Sequence, residues 1–410
     1  MTELLTEKYA KVLNDTKFAP IADKTRSEIT AQLLENQQQA INEATNETGN
    51  ADQWNPILMG MVRRIAPRLL AYDLVGVQPL TMPTGLIFAM KARYGQGGVA
   101  QNAKTNKEAM GIDEVNAGFS GDKKDNDVIN NTFAGASASG TFQRGTGMTT
   151  QQGENGAWNA MGVTIEKVSV STVTRQLRAD YSQEIAEDMK RVHGLDVDSE
   201  LVNIVSNEIT AELNREMLDK LYVSAKIGAQ FASTRGTIDL TTDVAGRWSA
   251  ERFRSLQFAI ERDANRIALE TRRGKGNKLV VSADVASALA YAGIMNYAPA
   301  IQAQTNLTVD PSGATFVGTM GTYSVYVDPY AVGDGYLVAY KGSENSDAGL
   351  IYAPYIPLQL SRAVNPTNFQ MALGFKTRYG FVSNPFVNAT GAIEPGQNPY
   401  YRVAQVTNLM

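Results

Sequence analysis

Residues 197–228, VDSELVNIVSNEITAELNREMLDKLYVSAKIG, place Leu201, Val205, Ile209, Leu213, Met217 and Leu221 four apart. An apolar residue on every turn with polar residues between is the mark of one amphipathic helix. Asp196 or Asp198 is positioned to cap its start, and Gly228 marks its expected end. At 1.5 Å per residue the helix would be a strut roughly 40 Å long.

The segments around this helix alternate between strand and helix patterns. Upstream, RADYSQEIAEDMKRV (178–192) puts Tyr181, Ile185, Met189 and Val192 on one helical face, and His193-Gly194 closes it. Before that, MGVTIEKVSVSTVTRQ (161–176) alternates and is rich in β-branched residues, so it reads as a strand. Its natural partner is GLIFAMKARYG (85–95), a second strand pattern. The stretch between them, 96–157, is rich in Gly, Asn, Ala, Ser and Thr and is too long for a plain connection. The pair therefore reads as a long two-stranded loop, a form marginal in water unless it packs on something else, here the next subunit.

Downstream, RWSAERFRSLQFAIERDANRIALET (247–271) is a further helix that stops at the basic turn RRGKGNK. The strand KLVVS and the helix ADVASALAYAG follow. From Thr308 to Pro385 short Val-, Tyr- and Phe-rich strands recur between turn residues, and a last strand falls near YYRVAQV. The fold class is α+β with separated sheets and one long helix. At the other end, residues 1 to about 50 read as a helical or extended arm. Residues 54–85, WNPILMGMVRRIAPRLLAYDLVGVQPLTMPTG, are cut into short apolar pieces by four prolines.

Composition narrows the function. The 410 residues carry a net charge of −4, are 43% hydrophobic and 20% charged, and include no cysteine and one histidine. Disulfides and thiolate chemistry are excluded, and interspersed acids leave no basic stripe to track nucleic acid. No apolar run is long enough to span a bilayer and the polar start lacks a signal peptide's centre, so a soluble, unexported protein with no membrane role is expected. His193 alone builds neither a multi-histidine metal site nor more than one member of a triad, and it reads as a helix-end residue. Asp196, Asp198 and Glu200 imitate a calcium loop, but Leu201 stands where the turn needs glycine. RRGKGNK and GTGMTT (145–150) both lack phosphate-loop spacing. Glu184 to Lys190 reads as a solvated helix face rather than an acid–base pair. No catalytic, metal or cofactor-binding residue is assigned, and no cofactor is expected.

The 54–85 segment closely resembles the opening of the mature major capsid protein of T-even-type tailed phages. RQLRADYSQEIAEDMKRVHGLD (175–196), ITAELNREMLDKL (209–221), RRGKGN (272–277), AYKGSENSDAGLIYAPYIPL (339–358) and MALGFKTRYGFVSNPF (371–386) resemble further family segments in family order. The resemblance implies a capsid fold of the Hong Kong 97 type. Residues 1–84 would be the N-terminal arm, with 1–53 propeptide-like, and 85–175 the extended loop with a short insertion at 96–157. Residues 176–275 would form the peripheral domain with its spine helix, 276–355 the axial domain, and 356–410 strands returning to the peripheral domain.

The resemblance implies hexamers that self-assemble into an icosahedral head enclosing double-stranded DNA without sequence-specific binding. Implied partners are a vertex capsid protein, a portal, a scaffold and decoration proteins, with assembly in the host cytoplasm and final residence in the virion. The alternatives are the vertex, pentamer-forming protein of the same family and, remotely, an α+β enzyme. Family precursors are cut after Leu/Ile-x-Glu, a pattern met at Leu33-Leu34-Glu35 and Ile41-Asn42-Glu43. Cleavage would fall after Glu35 or Glu43, the latter nearer the family's opening segment. With Met1 present, the uncut form is expected.

Overall fold

A computed structural model describes residues 2–13, 21, 23–44, 69–94, 108–109, 119–120, 128–130, 139–141, 147–155, 158–244, 248–297, 315–344, 347–364 and 370–409. Residues 54–68 of the proline-divided segment lie outside them. In chain order the elements are α1 (Thr2–Lys8), α2 (Ala10–Leu13), α3 (Lys24–Ala44), α4 (Ala71–Leu74), β1 (Gly76–Val77) and β2 (Thr84–Tyr94). Then come β3 (Glu108–Ala109), β4 (Val128–Asn130), β5 (Ser139–Thr141), α5 (Thr150–Asn155), β6 (Met161–Ser171), β7 (Val173–Tyr181) and α6 (Gln183–Asp188). The spine helix α7 (Val197–Ser224) leads to β8 (Ala225–Ile227), β9 (Thr237–Asp239), α8 (Ser249–Thr271), β10 (Lys278–Ser282) and α9 (Ala283–Tyr291). Last are β11 (Asn296–Tyr297), β12 (Thr315–Met320), β13 (Tyr323–Asp328), β14 (Gly335–Ala339), β15 (Leu350–Val364), β16 (Met371–Ser383) and β17 (Asn398–Thr407). Helices and sheets segregate, so the class is α+β.

The chain divides into two compact units, one of residues 1–87, 168–267 and 274–410, the other of 88–167 with 268–273. In the first, a sheet ordered β11-β12-β13-β10-β14-β17-β8 is centred on β10, which runs parallel to β13 and antiparallel to β14. Leu279, Val280 and Val281 are all buried, because a central strand covered on both faces has no solvent side. Over it lie α7 and α8. Val205, Ile209, Leu213, Met217 and Leu221 of α7 and Leu256, Ile260, Ala264 and Ile267 of α8 are buried in one core. A second sheet runs β1-β15-β16-β7.

The spine helix has 28 residues, about 42 Å. It stops at Ser224 rather than Gly228, because Ala225–Ile227 leave it to pair with β17.

Two expectations need correction. The helix read over 178–192 begins only at Gln183, and Arg178–Tyr181 belong to β7, held antiparallel to β16 from Val173↔Tyr379 to Tyr181↔Met371. Ser182 caps the new start by accepting from the Ile185 N–H. The helix then widens into one π turn, Met189–His193, and ends on left-handed Gly194, as read. The strand read over 161–176 is two strands that part at Thr172. β6 pairs with β2, whereas β7 joins the β15–β16 sheet.

Of the β3–β2–β6 ribbon, the other unit holds β3, the part of β2 from Phe88 and the part of β6 up to Lys167, and it also holds a β4–β5 hairpin. Lys91 and Arg93 both reach Glu166, at 2.9 and 2.5 Å, and the Tyr94 and Phe119 rings lie 4.5 Å apart.

Candidate assembly surfaces

The strand period of two decides what the ribbon offers. Since Lys91 and Arg93 meet Glu166, the odd residues of β2 share a face with the even residues of β6. Ile87, Ala89 and Lys91 are buried on that face. Leu86, Phe88 and Met90 therefore share the other face with Met161, Val163 and Ile165, and all six are exposed, Met90 at 69% and Ile165 at 70%. Covering side chains of this size is worth about 1.5–3 kcal/mol each, so a contiguous uncovered set is a surface waiting for a partner. The sequence showed the strands but not which face stays open.

The N-terminal helices are tied to the subunit's own body. Ile29, Leu33 and Leu34 of α3 are buried, and Asn36 donates to the carbonyls of Leu80 at 2.8 Å and Tyr355 at 3.0 Å. Tyr9 and Lys8 close the hairpin on Glu35, at 2.8 and 2.6 Å. Burial alone would raise the Glu35 carboxyl, but the bonds from Lys8 and Tyr9 hold it below its usual range. Glu35 thus stands mid-helix beside two buried leucines, and Glu43 stands one residue before the end of α3.

Gln37 is fully buried, and among the described residues neither amide atom has a hydrogen-bond partner. An unmet buried amide costs about 1–3 kcal/mol. Gln37→Met, which keeps the shape and drops the polar atoms, is expected to stabilise the chain by about 1–2 kcal/mol in urea unfolding. An unchanged or lower midpoint would contradict this burial.

Charged clamps hold the frame that carries these surfaces. Arg175 of β7 spans Glu212 at 2.7 Å and Glu216 at 2.6 Å on the spine helix. Tyr379 of β16 accepts from Arg175 at 2.6 Å and donates to Glu216 at 2.5 Å. Burial would raise Glu216, yet hydrogen bonds from Lys220, Tyr379 and Arg175 keep its carboxyl low. Asp263 of α8 accepts from the Ala229 N–H at 3.0 Å and the Tyr336 hydroxyl at 2.7 Å, and burial pushes its carboxyl up against those bonds.

Lys341 donates to the Tyr72 carbonyl, and burial pulls its ammonium down to about 8 from 10.5. A base with a depressed folded pKa loses stability as pH falls through that value, since the unfolded chain binds the proton more readily. The wild-type chain should therefore gain about 2 kcal/mol relative to Lys341→Met between pH 7.5 and 10. Parallel pH curves for the two proteins in chemical denaturation would contradict it.

The remaining candidates scatter. His193 is exposed at the end of the π turn. Asp198 accepts from Tyr181 and lies 3.6 Å from Arg362. Gly274 and Gly276 of the basic turn fit where a Cβ would strike Tyr340 and Val338, and Lys275 pairs with Glu261. Thr149 of GTGMTT bonds Gln152 at the start of α5, while residues 145–146 lie outside the described part. Among the described residues no three metal-binding side chains converge, and no helix is long and apolar enough to cross a membrane.

Comparison with known proteins gives these surfaces their context. The family model described as Major capsid protein Gp23 matches residues 51–406. The major capsid protein of Salmonella phage ViI is 37% identical over 437 residues, covering 100% of this chain and 99% of that one. The major capsid protein of Serratia phage KSP90 is 37% identical over 438 residues, with 100% and 99% covered. That of Enterobacteria phage T4 is 37% identical over 414 residues, with 85% and 79% covered. Among solved structures, the capsid of Myoviridae phage XM1 aligns with a TM-score of 0.41 at 10% identity over 89% of this chain and 97% of that chain. With the family model spanning most of its length, the chain belongs to the Gp23 major capsid protein family.

Proposed function

We propose that this chain is the hexamer-forming subunit of an icosahedral phage head that encloses double-stranded DNA. The observation that carries the reading is the uncovered ribbon face of Leu86, Phe88, Met90, Met161, Val163 and Ile165. A subunit whose extended strands leave their apolar face to solvent completes its burial on a neighbour, and a repeated head-to-tail contact closes into rings. In this reading the chain performs no catalysis, and DNA is held by enclosure rather than by base or phosphate recognition. A vertex protein, portal, scaffold and decoration proteins complete the shell, and assembly takes place in the host cytoplasm.

The arm, extended loop, peripheral and axial divisions follow the same reading. The burial of Leu33 and Leu34 within α3 supports the uncut chain as the shell-competent form. A maturation protease needs an unwound segment, so a cut after Glu43, one residue from the end of α3, is favoured over one after Glu35 in mid-helix. Electron microscopy of heads made with a tagged copy of this chain tests the assignment. Label on the six-fold capsomers supports it, and label confined to the corners assigns the chain to the vertex role.

A further inference from the structure

Two patches on the main unit have complementary chemistry. On the first, Phe231 and Phe258 are 59% and 66% exposed. The Arg262 guanidinium lies 3.7 Å over the Phe231 ring and 5.8 Å from Phe258, and that of Arg266 lies 5.1 Å from Phe231. Phe231, Phe258 and Arg262 border a hollow of about 300 Å³ lined also by Ala232, Val244 and Ala259. A stacked guanidinium uses its face on the ring and keeps its N–H edge for a carboxylate. Among the described residues no salt bridge takes up Arg262, although the Asp263 carboxylate, also on the hollow, feels its charge. Asp243, at the rim, is taken up by Ser233 and the Asp239 N–H.

The second patch is α6 with its π turn. Its apolar stripe faces solvent, with Ile185 54% and Val192 73% exposed. Glu187 pairs with Arg191 at 3.5 Å, whereas Glu184 and Asp188 pair with no cation among the described residues.

We propose that the aromatic–arginine hollow of one subunit receives the acidic α6 turn of a neighbouring copy, with Ile185 between the phenylalanines and Glu184 or Asp188 on the Arg262 edge. The inference rests on the shell reading above. It commits to a second copy because each chain carries both halves, each apolar at its centre, with Arg262 and Arg266 on one and Glu184 and Asp188, beside Lys190 and Arg191, on the other. Such a head-to-tail contact repeats from subunit to subunit. Aromatic and arginine side chains in a desolvated pocket dominate interfaces of this kind.

The absence of cysteine makes the test clean. Chains carrying Ile185→Cys and chains carrying Phe258→Cys are produced together with the other head proteins of the phage, and the purified particles are oxidised. The proposal expects disulfide-linked dimers from mixed particles and none from particles of either variant alone, because the bond demands close approach of the two positions. Mixed particles that form but run as monomers on a non-reducing gel overturn it. If the unaltered chain makes no particles, the shell reading fails and takes this inference with it. Independently, Arg262→Glu is expected to lower particle yield about tenfold, the effect of losing one interfacial ion pair. Adding Glu184→Arg and Asp188→Arg should restore it. A folded Arg262→Glu chain that assembles normally, or is not rescued by the swap, also overturns the proposal.

Discussion

A chain carrying Phe88→Asp and Ile165→Asp is expected to fold and yet form no shells. Both side chains project from the open face of the ribbon, at 59% and 70% exposure, so their replacement removes little from the folded subunit. Exposed substitutions of this sort stay within about ±0.5 kcal/mol, and the melting temperature should move by no more than about 2 °C. Assembly meets a different sum. Each contact loses about 3–6 kcal/mol of apolar burial from the two side chains and must also desolvate two unpaired carboxylates, at several kcal/mol each. The loss recurs in every copy of a shell. Sucrose-gradient sedimentation alongside thermal unfolding separates the outcomes: native melting with no fast-sedimenting particles is the expected result. Native particles would remove the ribbon face from the assembly interface.

Asp263→Ala should have the largest effect on the subunit itself, about 3–5 kcal/mol of lost stability. The carboxylate is 3% exposed and accepts from the Ala229 N–H and the Tyr336 hydroxyl while facing the charges of Arg262 and Arg402. Removing it orphans two buried donors and takes a countercharge away from the buried Arg402. Asp263→Asn keeps an acceptor oxygen and should recover roughly half the loss. Gly228 belongs to the same construction: a Cβ there would come within 2.5 Å of the Asp263 carboxylate and 3.1 Å of the Val403 carbonyl. Guanidinium denaturation measures all three proteins, and a loss under about 1 kcal/mol for Asp263→Ala would show that this network is not holding the core.

Much of the frame could be read before the structure, for local reasons. Val205 to Leu221 recur every four residues, and that spacing admits one helix with one buried face. LIFAM and the LVV of KLVVS are short apolar runs of strand length, and the LVV run is apolar because β10 is covered on both sides. Errors arose where distant chain decides. Arg178–Tyr181 have helical spacing but are strand because β16, nearly two hundred residues later, supplies the ladder. A local clue existed, since Ser182 is a helix cap that places the start after Tyr181 rather than before it. The break at Thr172 has no such local sign, because β6 and β7 differ only in which strands they find. The assembly surfaces were least legible. Ile185 and Val192 look like core by periodicity, and only the fold shows that nothing within the described part of the subunit covers them. Phe258 and Arg262 stand four apart on α8, a spacing that puts them on one face, but Phe231 comes from a separate segment that no spacing rule joins to them.

Counting copies in the particle decides whether this chain builds the shell. Quantitative intact-mass spectrometry of purified phage particles gives both the abundance and the processed form of each head protein. This chain, uncut, is expected to be the most abundant protein of the particle. A dominant species lacking residues 1–35 or 1–43 would keep the shell assignment and replace the uncut form with the processed one. A chain absent from the particle, or present only in the few copies that the corners require, would contradict its role as the major shell subunit.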